Sequence, residues 1–408
     1  MKYIGLLVCV FAARTPDDVL FKKQKTLDQF RFPHGVRPEN PRTLGSTIKV
    51  VSPGGKFEFE VNSNEPLVDV SRLTTALQVA SGFLENAISF NNQIKVQFDH
   101  GTYCSLTPNC PHYNPRKLGY SIPNDKMEYI PRKDIILSPY ALINQNRPAD
   151  KRDNKFDMYM QLNTADRFIY PDEYGSHSKT KNADIIRMIV HELSHGLGIY
   201  SKLTVNCAIP NFIGPYTTYL YNKTHNTLMF HKTLFDTHLR PYNSSLKFPT
   251  ATTFLFGDLN FNSFFPTIHT KPEINDTGFL STHKNTTYFL TKYNTRVDID
   301  TQTSTAQGSS FSHVSPRYRN STEFLMTHLG VYYSVFLEDS SVNQYWKTAP
   351  LGNATVEMLE TIGYQKNPTP NRNLSQIGLY EQMLPFNKKE GDQVYKNMHS
   401  EELIWAIF

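Results

Sequence analysis

Cysteine is scarce, with four in 408 residues. That is too few to staple a small disulfide scaffold, so the chain must hold itself together by packing. Long apolar runs are also missing. No stretch reaches the ~18 residues that cross a bilayer as a helix, so no membrane span is expected. Charge of one sign is nowhere concentrated. Lys and Arg number 42 against 37 Asp and Glu, interspersed, for a net +5. A clustered basic stripe is the footprint of nucleic-acid binding, and none is seen, so no nucleic-acid partner is expected. Internal repeats, low-complexity tracts and a calcium-loop pattern are absent too. What is there is an ordinary globular balance, 39% hydrophobic and 19% charged, which excludes a mainly disordered polyelectrolyte. The length carries two or three domains' worth of mass and is ample for a large core.

The first 13 residues read MKYIGLLVCVFAA. Lys2 precedes the apolar stretch Ile4–Ala13, and either Val10 and Ala12 or Phe11 and Ala13 can take the −3 and −1 positions of a cleavage site. This pattern predicts a secretory signal peptide and a secreted, extracellular protein. Cleavage would remove Cys9 and leave Cys104, Cys110 and Cys207. Cys104 and Cys110 bracket a turn-rich SLTPN loop and are a candidate disulfide, with Cys207 the odd one. Asn-x-Ser/Thr sites fall at Asn222, Asn243, Asn275, Asn285, Asn320, Asn353 and Asn373. Composition alone gives roughly five such sites, so their placement says more than their number. All lie at or beyond residue 222 and, if used, mark the C-terminal half as loop-rich surface of a glycoprotein.

Residues 14–45 are polar and rich in Pro and Arg, and read as an extended leader. Thr47–Val51 and Lys56–Val61 alternate around Pro53-Gly54-Gly55, which predicts a hairpin. Val70, Leu73, Leu77, Ala80, Leu84 and Ala87 recur at helical spacing behind Asp69, a candidate N-cap, predicting a helix over 69–88. Strands are expected at 93–98, 118–121, 134–137 and 157–162. Asp184 then opens a helix running to Gly198. Residues 201–310 are rich in Asn, Thr, Phe and Tyr without regular periodicity, and read as a long insertion of loops and short strands. Val356, Leu359 and Ile362, ended by Gly363, predict one more helix. The tail closes in EELIWAIF, read as a docking helix and too short for a lipid-anchor signal.

The chemistry sits in His191-Glu192-Leu193-Ser194-His195. Residues four apart share one helix face, with Cβ atoms about 5–6 Å apart. Two imidazoles so placed can both reach one zinc ion at Zn–N distances of roughly 2.0–2.1 Å. Glu192 projects beside the first histidine, where a carboxylate can take a proton from a water on the metal. A chance match to this pattern has a probability of roughly 0.02 in a chain of this composition. A histidine pair and a glutamate amid Ile185, Ile186, Ile189, Val190 and Leu193 would be a costly polar stripe without a partner. Catalytic zinc takes three protein ligands and keeps a fourth position open. The compact pattern His-Glu-x-x-His-x-x-Gly-x-x-His is matched as far as Gly198, but its last position is Ser201. The third ligand must therefore lie elsewhere. Downstream histidines are His225, His231, His238, His269, His283, His313 and His328.

HELSHGLG resembles the zinc helix of metzincin-like metallopeptidases. It is most similar to leishmanolysin-like proteins, in which a long insertion separates this helix from the third histidine. The segment SSFSHVSPRYRNSTEFLMTHLG resembles that family's third-histidine and Met-turn block. By this resemblance His313 is the third zinc ligand and Met326, in Phe324-Leu325-Met326, is the Met-turn methionine under the metal. TVEMLETIGY resembles the helix that follows. The resemblance covers about 155–200 and 309–365. It implies a zincin, in which strand 157–162 either aligns the substrate at the sheet edge or is an ordinary sheet strand. Two departures stand out. Leishmanolysins hold far more cysteine, and no cysteine here is placed as a propeptide zinc switch.

The expectation is an α+β, zincin-like fold of two subdomains. Residues 46–200 would hold a mixed twisted sheet, a backing helix and the active-site helix. Residues 201–365 would form a largely irregular C-terminal subdomain carrying the third ligand and Met-turn. Residues 1–13, 14–45 and 366–408 would be signal, leader and tail. The expected activity is that of a secreted zinc metalloendopeptidase with one catalytic Zn2+, a protein or peptide substrate and Glu192 as general base. The alternative is a non-catalytic secreted zincin-fold protein that binds a glycan or protein. Chelator-sensitive cleavage of an unfolded protein separates the two.

Overall fold

A computed structural model describes residues 46–63, 67–101, 118–130, 134–152, 154–164, 168–170, 183–205, 213–215, 219–222, 227–230, 232–241, 253–255, 287–300, 311–321, 323–328 and 351–370. The expected signal peptide, leader, Cys104–Cys110 pair, Cys207 and EELIWAIF segment lie outside these residues. So do Asn243, Asn275, Asn285 and Asn373. Among the described sequons, Asn222 ends a short strand, Asn320 ends a 3-10 turn and Asn353 is exposed at the start of a helix.

The architecture is mixed α and β. Five strands form the main sheet: β1 (Ser46–Val51), β2 (Phe57–Ser63), β3 (Ile94–Gly101), β4 (Gly119–Pro123) and β5 (Met158–Asn163). Their order is β1-β2-β3-β5-β4. β2, β3 and β5 run parallel, while β1 and β4 are antiparallel to their neighbours. The predicted hairpin is β1–β2, with Ile48 opposite Val61 and Val50 opposite Phe59. Its turn is tied to a helix: Gly54 N–H donates to Glu85 Oε2 at 2.8 Å and Lys56 N–H to Glu85 Oε1 at 2.7 Å.

Helix α1 (Leu67–Ala87) begins two residues before the expected Asp69 cap, so Asp69 lies inside its first turn. Its stripe of Leu73, Leu77, Ala80 and Leu84 is fully buried. Helix α2 (Ile185–Gly196) packs beside it. Alternation along the strands sends Phe57, Phe59, Val61, Ile94, Val96, Phe98, Met158, Met160 and Leu162 to the same core. Burial on that scale, at ~25 cal/mol per Å2 of apolar surface, is what fixes the register, since a slip of one residue would turn every one of these side chains outward.

The strand expected at 157–162 exists as β5, but it lies between β3 and β4 and is not an edge. The antiparallel strand β4 is the last in the order instead. The apolar alternation of DMYMQL carries no sign of which neighbours pair with it, so edge and interior look alike in sequence. Asp157, fully buried at the entry to β5, is held by Lys95 N–H at 2.7 Å, Asn144 Nδ2 at 2.6 Å and Arg152 Nη2 at 2.9 Å.

Between 201 and 310 the described segments are short strands of two to four residues and one 3-10 turn, as the aperiodic sequence predicts. Helix α3 (Asn353–Ile362) closes at Gly363. No helix among the described residues is long and apolar enough to cross a membrane.

Candidate metal centre

Helix α2 starts where the sequence puts it. Asp184 caps it, its Oδ1 accepting from Ile186 N–H at 2.9 Å and Arg187 N–H at 3.1 Å. All twelve residues are buried. Gly196 lets the helix lie flush on the sheet: a Cβ there would stand 2.3 Å from Met158 Sδ and 2.8 Å from Ser121 Oγ. Gly198, at φ 120°, turns the chain away in a conformation that side-chain-bearing residues rarely adopt.

One helical turn separates His191 from His195, and their ring centroids are 4.7 Å apart. Into the same place comes His313, 118 positions beyond His195. Its segment is stapled to the strand Arg296–Asp298 and the residues just after it. Asp300 N–H donates to His313 O at 2.8 Å, Phe311 N–H to Asp300 O at 2.8 Å, and Ser315 N–H to Asp298 O at 2.8 Å. Phe311, fully buried, holds φ 66° two residues ahead of His313. A bulky side chain there stores of the order of 1–3 kcal/mol of strain, offset by the surrounding bonds. The expected turn at Phe324–Met326 is a buried 3-10 turn. Its backbone meets two of the three histidine segments: His191 Nδ1 donates to Leu325 O at 2.7 Å, and Val314 N–H donates to Met326 O at 2.9 Å.

The three Nε2 atoms converge. His191 to His195 is 3.1 Å, His191 to His313 3.0 Å, and His195 to His313 3.2 Å. Each residue is at most 7% exposed. Burial pushes the His191 imidazolium pKa down to about 3, helped by the neighbouring His195 charge and opposed by the Leu325 bond. Burial likewise pushes His195 down to about 4, against the bond to Ile199. Both rings are therefore neutral near pH 7.

Their tautomers follow. His191 Nδ1 faces Leu325 O, and His195 Nδ1 faces Ile199 O at 2.6 Å. A carbonyl only accepts, so each Nδ1 carries the ring's single proton and each Nε2 presents a bare lone pair. Two lone pairs 3.1 Å apart repel, and one proton on His313 Nε2 cannot satisfy both at full strength. A cation among the three nitrogens resolves this. Three ligands of a tetrahedral ion at Zn–N distances of about 2.0–2.1 Å stand roughly 3.3 Å from one another, close to the spacing found. The donor set thus fits a metal ion: His191, His195 and His313 form a buried group that could hold one.

Glu192 follows His191 on α2 and is 5% exposed. Periodicity does not reveal the supports around the site. Asp300 pairs with His328 Nδ1 at 2.9 Å, two residues past Met326. Glu323, just before the 3-10 turn, accepts from Ala354 N–H at 2.9 Å and Thr355 N–H at 3.4 Å, so it caps α3 where Gly352 has no side chain to do so. Arg187, wholly buried one turn before His191, lies 3.7 Å from Asp184 and 6.0 Å over the Phe324 ring. The nearest hint in sequence is that such charged residues sit inside apolar runs.

No curated protein and no solved structure matches the chain. A family match does cover most of it, across all three histidines and Met326. The chain belongs to the SPBPB7E8-like family, which residues 44–380 match.

Proposed function

We propose that this protein is a secreted zinc metalloendopeptidase with a zincin-like arrangement. The observation that carries the reading is the convergence of three buried imidazoles, two of them neutral, carbonyl-anchored and borne by the same buried helix as Glu192. Neutral nitrogen donors in a set of three suit zinc, and leave a coordination position open for chemistry. When bound, zinc would supply a Lewis acid that polarises the scissile carbonyl and acidifies water.

The rest falls to the chain itself. His191, His195 and His313 hold the ion, the helix rings fixed by backbone carbonyls and His313 by the strand pairing of 313–315. Glu192 takes the proton of the attacking water and delivers it to the leaving amine. Met326 contributes to the buried base of the site. An extended substrate adds to β4, the terminal antiparallel strand that α2 packs against, through main-chain hydrogen bonds. The leishmanolysin-like resemblance supports the same assignment.

The test is Glu192→Gln. It should keep one zinc per chain and lose cleavage of an unfolded protein by roughly 100- to 10,000-fold, the usual worth of a general base. Wild-type cleavage that survives both this substitution and chelation would end the proposal.

A further inference from the structure

Ser201 stands where the compact motif has its third histidine, and the structure gives it other work. Its backbone N–H donates to Ser312 Oγ at 3.0 Å, next to His313. Its hydroxyl donates to Asp236 Oδ1 at 2.5 Å. Two residues earlier, Ile199 O receives the His195 Nδ1 proton. The turn 199–202 therefore touches the second histidine on one side and the third-histidine segment on the other.

Asp236 holds that turn. Besides Ser201, it accepts from Lys202 N–H at 3.2 Å and Thr233 N–H at 3.0 Å, both on Oδ2. Thr233 in turn accepts from Asp236 N–H at 3.0 Å and donates to Tyr200 O at 3.0 Å. Thr233, Asp236 and Lys202 are all at most 8% exposed. Burial raises the Asp236 carboxyl pKa, and the Ser201, Thr233 and Lys202 donors act against it. A carboxylate this buried is costly unless its acceptor sites are filled, and here they are filled by the turn that carries the His195 anchor.

We infer that Asp236 is a positioning residue for the metal centre. Through Ser201 and Ser312 it locks the turn after α2 to the His313 segment and fixes the spacing of the second and third imidazoles. The inference rests on the metal reading proposed above. It also gives the stretch between His195 and His313 a definite role, since that stretch supplies the carboxylate that joins the two ends it separates. Outer partners of metal ligands are typically worth about 10–100-fold in metal affinity.

Full-length wild type, Asp236→Ala, Ser312→Ala and His313→Ala would be compared for Zn2+ affinity by chelator competition. Co2+ absorption would report ligand geometry, and thermal unfolding of the metal-free proteins would report the fold. Asp236→Ala and Ser312→Ala should bind Zn2+ about 10–100-fold more weakly and shift the Co2+ bands. A merely structural residue would lower the metal-free unfolding temperature and leave the Co2+ bands in place. Ser312→Ala removes a single hydrogen bond, so it decides the matter should Asp236→Ala not fold. Folded variants with wild-type Zn2+ affinity and Co2+ spectrum would overturn the inference while leaving the metal reading intact. Wild type that binds neither metal would overturn both.

Discussion

His100 shows how much a single buried side chain governs. It lies on β3, 1% exposed, with Nδ1 3.1 Å from Ser63 Oγ and no hydrogen-bond partner for Nε2 among the described residues. Burial lowers its pKa from 6.5 to about 4. Between those two values the unfolded chain takes up a proton that the folded chain refuses. Stability from this group is therefore complete above pH 6.5 and drains away as the pH falls toward 4, by up to ~3 kcal/mol at about 1.4 kcal/mol per unit. His100→Gln should flatten the pH dependence of urea unfolding over that window relative to wild type. An unchanged slope would mean that His100 does not titrate as described. The same residue-level logic limits what can be read from sequence. His191, Glu192 and His195 are legible because one helical turn relates them. Asp236, Asp300 and Glu323 are not, because each acts on residues that only folding brings near.

At the scale of elements, the contact of α2 with the sheet is tight enough to dictate composition. Gly196→Ala would drive a methyl group into Met158 and Ser121, which flank it on β5 and β4. Overpacking of that kind costs typically ~1–3 kcal/mol, and displacement of the helix would carry His195 with it. Urea unfolding should show the loss, and Zn2+ affinity should fall in parallel. Stability and affinity both at wild-type levels would show that the sheet yields there. Elements whose signals are local are readable: the β1–β2 hairpin from its alternation, α2 from its stripe and cap, α3 from three apolar residues and a glycine. The place of β5 inside the sheet is not, because pairing order depends on residues some 35 to 62 positions away in sequence.

Across the whole molecule, the candidate centre draws on parts that are distant along the chain. Two imidazoles come from α2 and one from beyond a 118-residue separation. A ligand that binds only the folded state stabilises it by mass action, by about 4 kcal/mol at roughly a thousand times its Kd. Chelation should therefore lower the wild-type unfolding temperature, and added Zn2+ should restore it. His313→Ala should show little of this difference. Equal unfolding temperatures with and without metal in wild type would deny the ion any part in holding these segments together. Fold class and helix content are within reach of sequence because core patterning is periodic. The architecture of 201–310 is not, since its described strands of two to four residues are too short to set a period.

The anchors of the two helix histidines are the carbonyls of Leu325 and Ile199, groups that every amino acid possesses. Replacing either side chain leaves the oxygen where it is, so long as the backbone path persists. Ring orientation at this centre is thus insulated from substitution at the residues that impose it. Divergent relatives could exchange either side chain for another apolar one that fills the same buried space and still present the same pair of nitrogens, and a search keyed to residue identity would pass over the constraint.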